Sequence, residues 1–99
     1  MPEREKVASV DGAGLIAAER ERQITAEGWT SEHDNGHADG ELADAAACYA
    51  IGRGNVTIDG TYLWPWANGW WKPTGDRVRD LTKAGALIAA EIDRLRRLP

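Results

Sequence analysis

Tyr62-Leu63-Trp64-Pro65-Trp66-Ala67-Asn68-Gly69-Trp70-Trp71-Lys72-Pro73 holds four of the chain's five tryptophans within eight positions, and the sequence contains no phenylalanine. Pro65 and Pro73, with Asn68-Gly69 between them, forbid a continuous helix here: proline lacks the N–H a helix needs, and Asn-Gly favours a turn. The largest side chains therefore sit on irregular backbone. Such a loop either plugs a small core or supplies flat walls around a ligand.

Downstream, Thr74 or Asp76 can cap a helix in which Val78, Leu81, Gly85, Ile88, Ile92 and Leu95 recur at three- and four-residue spacing, widened by Ala84 and Leu87. A stripe of that kind is expected to face the core. Gly85 costs up to ~1 kcal/mol against alanine in mid-helix, which points to close contact with another helix. Arg94, Arg96 and Arg97 crowd the C-terminal end, where cations suit the helix dipole.

Upstream, Val56 to Leu63 reads as a very short hairpin, with β-branched residues flanking Asp59-Gly60. Before it, a helix is expected from near Asp39 through Glu41 to Ala50, ended by Gly52 and Gly54. Leu42, Ala45, Ala46 and Tyr49 mark its buried side, and five alanines permit close helix approach. Thr30 to Gly40 is polar loop and carries both histidines. The first helix runs from about Gly12, with Asp11 as N-cap and Gly28 as the stop just before Trp29. Ala13, Ile16, Ala17 and Ile24 form its apolar sector, which Arg20, Gln23 and Glu27 share. Either Arg20 pairs with Glu27 or lays its stem along the core, or this end of the helix offers a polar wall to a cavity. Residues 1 to about 11 are charged and expected to fray. The expectation is a mainly α fold: one domain over residues 12–99, with three helices and a hairpin or extended Trp-rich loop between the second and third.

The chain has 99 residues and a net charge of −4. Acidity of this kind argues against a general nucleic-acid binder, which needs a basic footprint. A domain this small gains further burial most simply by pairing with a copy of itself, so a homodimer is expected. The single Cys48, in an alanine-rich run, reads as a buried free thiol in a reducing compartment. No segment reaches the ~18 apolar residues of a membrane span, and the first residues are no signal peptide. The expected location is the cytoplasm.

Three constellations bear on chemistry. His33-Asp34-x-x-His37 has the i, i+4 spacing of helix-borne zinc ligands. Gly36 lies between the histidines, so a loop tied to its own backbone and contact with ribose hydroxyls or a base edge compete with metal. Glu41 and Asp44 form an acidic pair of the kind that all-α nucleotide pyrophosphohydrolases use to hold magnesium. The required second pair is missing, since Glu19 and Glu27 are wrongly spaced. The tryptophans, with Lys72, Arg77 and Arg79 nearby, suit a nucleotide: bases stack on the rings and phosphates meet the cations. Trp64 and Trp66 also suit a core role. Adjacent Trp70 and Trp71 cannot both point inward.

The run Ala18-Glu19-Arg20-x-Arg22-Gln23-Ile24-x-x-Glu27-Gly28-Trp29-Thr30-x-Glu32-His33-Asp34, then Gly40-Glu41-Leu42-Ala43, Trp64-Pro65-Trp66, Trp71-Lys72-Pro73 and Arg79-Asp80-Leu81-x-Lys83 to Ile88, resembles a group of short proteins common in phages and prophages. Where that group tends to carry Asp-Asp after the histidine, this chain has Asp34-Asn35. The order of features is also similar to the RyR domain, through Gly28-Trp29, Asp34, His37, Trp64-Pro65-Trp66 and Asp76 to Lys83. The phage resemblance supplies context, and the similarity to the RyR domain implies binding of a nucleotide-derived ligand rather than catalysis. The leading expectation is a phage-type small-molecule-binding protein that captures a nucleotide or nucleotide-derived signal, sequestering a host defence messenger. Its pocket would draw on Arg20, Trp29, His33, Asp34, His37, Trp64, Trp66, Trp70, Trp71, Lys72 and Arg77, with no cofactor. The alternatives are a magnesium-dependent pyrophosphohydrolase using Glu41 and Asp44, and an interaction protein whose tryptophans dock on a host protein.

Overall fold

The computed structural model describes residues 10–99, so most of the segment expected to fray lies outside the described residues. Helix α1 spans Gly12–Thr25, and the Asp11 side chain caps it by accepting from the Gly14 N–H. Gly28 turns the chain at φ +74°, and the Trp29 N–H returns to the Gln23 carbonyl. The expected polar loop contains a short helix, α2 (Ser31–Asn35), because Thr30 caps the His33 N–H. Helix α3 (Glu41–Ile51) has Gly40 at its N-cap position, one residue after the expected Asp39 and with no side-chain cap, and stops at Gly52.

The hairpin forms as expected. Strands β1 (Thr57–Ile58) and β2 (Thr61–Tyr62) pair antiparallel, Thr57 opposite Tyr62, around Asp59 and Gly60, both at positive φ. That pair of conformations is what a two-residue primed turn needs. The tryptophan loop follows, with one 3₁₀ turn at Asn68–Trp70. Helix α4 (Arg77–Arg96) closes the chain, capped by Asp76. Thr74 ties the entry to α4 by donating its N–H and hydroxyl to the Asp80 carboxylate. The fold is thus mainly helical, with three principal helices, one short extra helix, and the Trp-rich loop between α3 and α4.

Helix α4 is the hub, against which α1, α2 and α3 all pack. Leu42, Ala45, Ala46, Cys48 and Tyr49 from α3 meet Ala84, Leu87 and Ala90 from α4, and Trp64 completes this core. Alanines on both helices let the backbones approach closely, which explains why a core with few large aliphatics holds. Cys48 is a fully buried free thiol, and burial raises its pKa.

Two expectations about helix faces are corrected. On α4 the regular apolar set is not the core face: Val78, Leu81, Ile88, Ile92 and Leu95 are exposed, while Asp80, Thr82, Ala84, Ala86, Leu87, Ala90 and Arg94 are buried. Close alanine packing against α3 selected the face, not side-chain size. Gly85 behaves as expected, since the Ile16 side chain of α1 occupies the space its Cβ would take. On α1 the buried residues are Glu19 and Gln23, with Ile16 and Ile24 only half-buried and Ala13 and Ala17 exposed. Glu19 explains this, because its carboxylate takes bonds from Arg22, Gln23 and Arg79 at the α1–α4 contact. Arg20 pairs with Asp34 rather than Glu27. Among the described residues no helix is long and apolar enough to cross a membrane.

Candidate functional site

The tryptophan loop is anchored from below. Trp64 is buried, and its indole N–H donates to the Ala67 carbonyl at 3.2 Å across the bend that Pro65 makes. Its ring stands edge-on to Tyr49, Trp66 and Trp71, at centroid distances of 5.8, 5.3 and 5.1 Å. Such perpendicular contacts satisfy the aromatic quadrupole and fix the rings. Tyr49 accepts the Lys72 N–H, tying the far end of the loop to α3, and burial pushes its phenol pKa up.

A second aromatic line comes from the other loop. Trp29 lies parallel to His33, with 4° between the planes and 5.8 Å between centroids. His33 meets His37 edge-on at 4.9 Å, and His37 meets Trp66 at 5.2 Å. Capping of α2 by Thr30 and the turn at Gly36 bring the two histidines together despite the glycine between them. Between these two lines lies a cavity of about 340 Å³. Trp29, His33, His37, Tyr49, Trp64, Trp66 and Trp70 form its walls, with Leu42, Ala67 and Leu87 completing the lining.

The polar edge of the cavity is built from carboxylate-backed imidazoles. His33 Nδ1 lies 3.2 Å from Asp34 Oδ1, and the other oxygen of that buried carboxylate accepts from Arg20 at 3.1 Å. His37 Nδ1 lies 3.5 Å from Glu41, whose other oxygen accepts the Asp39 N–H at 2.7 Å. Burial pushes the Glu41 carboxyl up, but the N–H groups of Glu41 and Asp39 and the neighbouring His37 outweigh it and hold it below its ordinary value. In a neutral imidazole a carboxylate at Nδ1 favours the tautomer with its proton there, which leaves Nε2 as the acceptor. Among the described residues neither Nε2 has a protein partner. Among the described residues, Arg20 Nε and Nη1 and Gln23 Oε1 are buried without hydrogen-bond partners.

The expected site residues therefore divide. Trp29, His33, His37, Trp64, Trp66 and Trp70 line the cavity, and Asp34 and Arg20 form the pair behind His33. Lys72 sits 5.4 Å over the exposed Trp70 ring, at the rim. Trp71 turns away: its indole lies on Gly54 and lines a separate depression with Arg53, Asn55 and Asn68. Arg77 does not reach the cavity. Its guanidinium donates to the Tyr49 and Ala50 carbonyls at the end of α3, where unpaired carbonyls attract a cation. Tyr49, Leu42 and Leu87 belong to the cavity as well as the core. The first two share a helix face at i, i+7, a spacing that could have marked Tyr49 as a wall.

Glu41 and Asp44 share the first turn of α3, and burial, then Glu41 and Glu91, push the Asp44 carboxyl up. Among the described residues no three His, Cys, Asp or Glu side chains converge to hold a metal ion. No family model, curated protein or solved structure matches the chain.

Proposed function

We propose that this protein is a small-molecule-binding protein whose cavity between α2, α3 and the tryptophan loop takes the flat base of a nucleotide or nucleotide-derived signal. The observation that carries the reading is the cavity itself. Its volume of about 340 Å³ falls within the range of small-molecule sites, and its walls are indole, phenol and imidazole rings. Stacking on such rings contributes ~1–3 kcal/mol per base and tolerates any base. His33 and His37 supply discrimination: an acceptor at each Nε2 selects a base edge or ribose that donates, such as an exocyclic amine or a hydroxyl.

The cations bear on what else the ligand carries. Arg77 caps α3 and Arg20 holds Asp34, so Lys72 at the rim is the expected cation left for phosphate. That arrangement favours a ligand with one phosphate, or a cyclic one, over a triphosphate. In the phage-type reading the protein acts in the host cytoplasm by sequestering such a messenger. The magnesium pyrophosphohydrolase reading gains nothing from Glu41, which His37 and the Asp39 N–H already engage. Titrating tryptophan fluorescence and melting temperature with mono-, di-, tri- and cyclic nucleotides tests the proposal. A saturable response is expected, strongest for monophosphates or cyclic forms of the bases with an exocyclic amine (adenine, cytosine and guanine) and weakened at least tenfold by Trp66→Ala. No response from any of them, with an unchanged melting temperature, sinks it.

A further inference from the structure

The exposed face of α4 is the largest feature that the binding site leaves unexplained. Val78, Leu81, Ile88, Ile92 and Leu95 are each about half exposed or more, at 60, 46, 48, 51 and 50%. With Gly85 they follow the alternating three- and four-residue spacing of a coiled-coil seam over the whole helix. Together they present on the order of 450 Å² of apolar surface. That is close to the apolar share of the ~800 Å² each partner buries in a standard interface.

The spacing is also self-complementary. Reversing the helix about a point between Ala86 and Leu87 sets Val78 opposite the partner's Leu95, Leu81 opposite the partner's Ile92, and Gly85 opposite the partner's Ile88. Every apolar position finds an apolar position, as an interface about a two-fold axis demands. Ile16 fills the place above Gly85, so the seam stays apolar at that layer. Ala89, beside the centre, is small and uncharged and only partly buried. Sense follows from charge: parallel pairing would set the exposed Arg96 and Arg97 beside their own copies, whereas antiparallel pairing brings Arg97 level with the N-capping Asp76 of the other copy and aligns the helix dipoles head to tail, with the Arg77 guanidinium drawn off onto the Tyr49 and Ala50 carbonyls.

We infer that a second copy of this chain packs antiparallel on this face of α4, forming a two-fold dimer through Val78, Leu81, Ile88, Ile92 and Leu95. The cavity is untouched by it, since Leu87 lines the cavity from another side of the same helix. The dimer and the ligand-binding reading therefore stand or fall separately.

Light scattering on the eluting protein at high micromolar concentration is expected to read twice the 10.8 kDa chain mass. Ile88→Glu is expected to halve the measured mass while leaving helicity unchanged, because the side chain is solvent-facing within one chain. As a second test, oxidation of the double variant Leu81→Cys/Ile92→Cys should give a covalent dimer, and neither single variant should. Native Cys48 is fully buried and takes no part. A wild-type mass of one chain, an Ile88→Glu mass unchanged from a wild-type dimer, or crosslinking by Leu81→Cys alone would each overturn the antiparallel seam.

Discussion

Asp34 is the side chain that joins the histidine edge of the cavity to α1. It is 1% exposed and holds His33 with one oxygen and Arg20 with the other. Removing one member of a buried ion pair leaves the other charge stranded, at a cost of about 3 kcal/mol or more. Asp34→Ala should therefore lower the unfolding free energy by about 3 kcal/mol in urea and also release the His33 ring from its tautomer and orientation. A loss below about 1 kcal/mol would mean that the pair contributes little to the folded state. At this scale the sequence revealed residue types better than partners. Tryptophans and histidines stand out by their chemistry, and six of them do line the cavity. Arg77 reads as a phosphate ligand until the open carbonyls of α3 appear beside it. Arg20 and Asp34 meet across a fourteen-residue separation that no periodicity encodes.

The contact between α1 and α4 combines a small residue and a buried carboxylate. Gly85 admits Ile16, so Gly85→Val should destabilise by roughly 1–3 kcal/mol through overpacking, and adding Ile16→Ala should recover part of the loss. Recovery of nothing would show that the glycine serves some other purpose. Beside it, burial pushes Glu19 up, but hydrogen bonds and charge from Arg22 and Arg79 outweigh it and hold the carboxyl below its ordinary 4.5. Asp80 is shifted the same way: burial opposes, and Thr74 together with Lys83 and Arg77 prevails. A carboxyl depressed in the folded state stabilises at pH above its unfolded value and loses that contribution as pH falls through the folded one. The urea midpoint should accordingly drop as pH falls below about 4.5, and Glu19→Gln should flatten that acid limb. An identical acid limb in the variant would contradict the assignment. The apolar pattern of α4 identified the helix and its capping correctly but not its buried side. A regular stripe says which residues share a face; it does not say whether the chain's own helices or another molecule covers that face.

At the scale of the whole molecule, α4 has two uses. One side packs on α3 and brings Leu87 to the floor of the aromatic cavity; another presents an uncovered apolar seam. The mainly helical architecture, the hairpin turn and the irregular tryptophan loop were all legible from proline, glycine and spacing. Which ring does which job was not, because adjacent Trp70 and Trp71 differ only in what lies under them: Lys72 at the rim for one, Gly54 for the other. That difference offers the most direct test of the central claim that this cavity holds a base. Each of the five indole N–H groups gives its own signal in a ¹⁵N-correlated NMR spectrum. Titration with adenosine and cytidine monophosphates and their cyclic forms should shift the indoles of Trp29, Trp66 and Trp70 together and leave Trp71 in place. Signals that stay fixed throughout, or a shift confined to Trp71, would contradict the account.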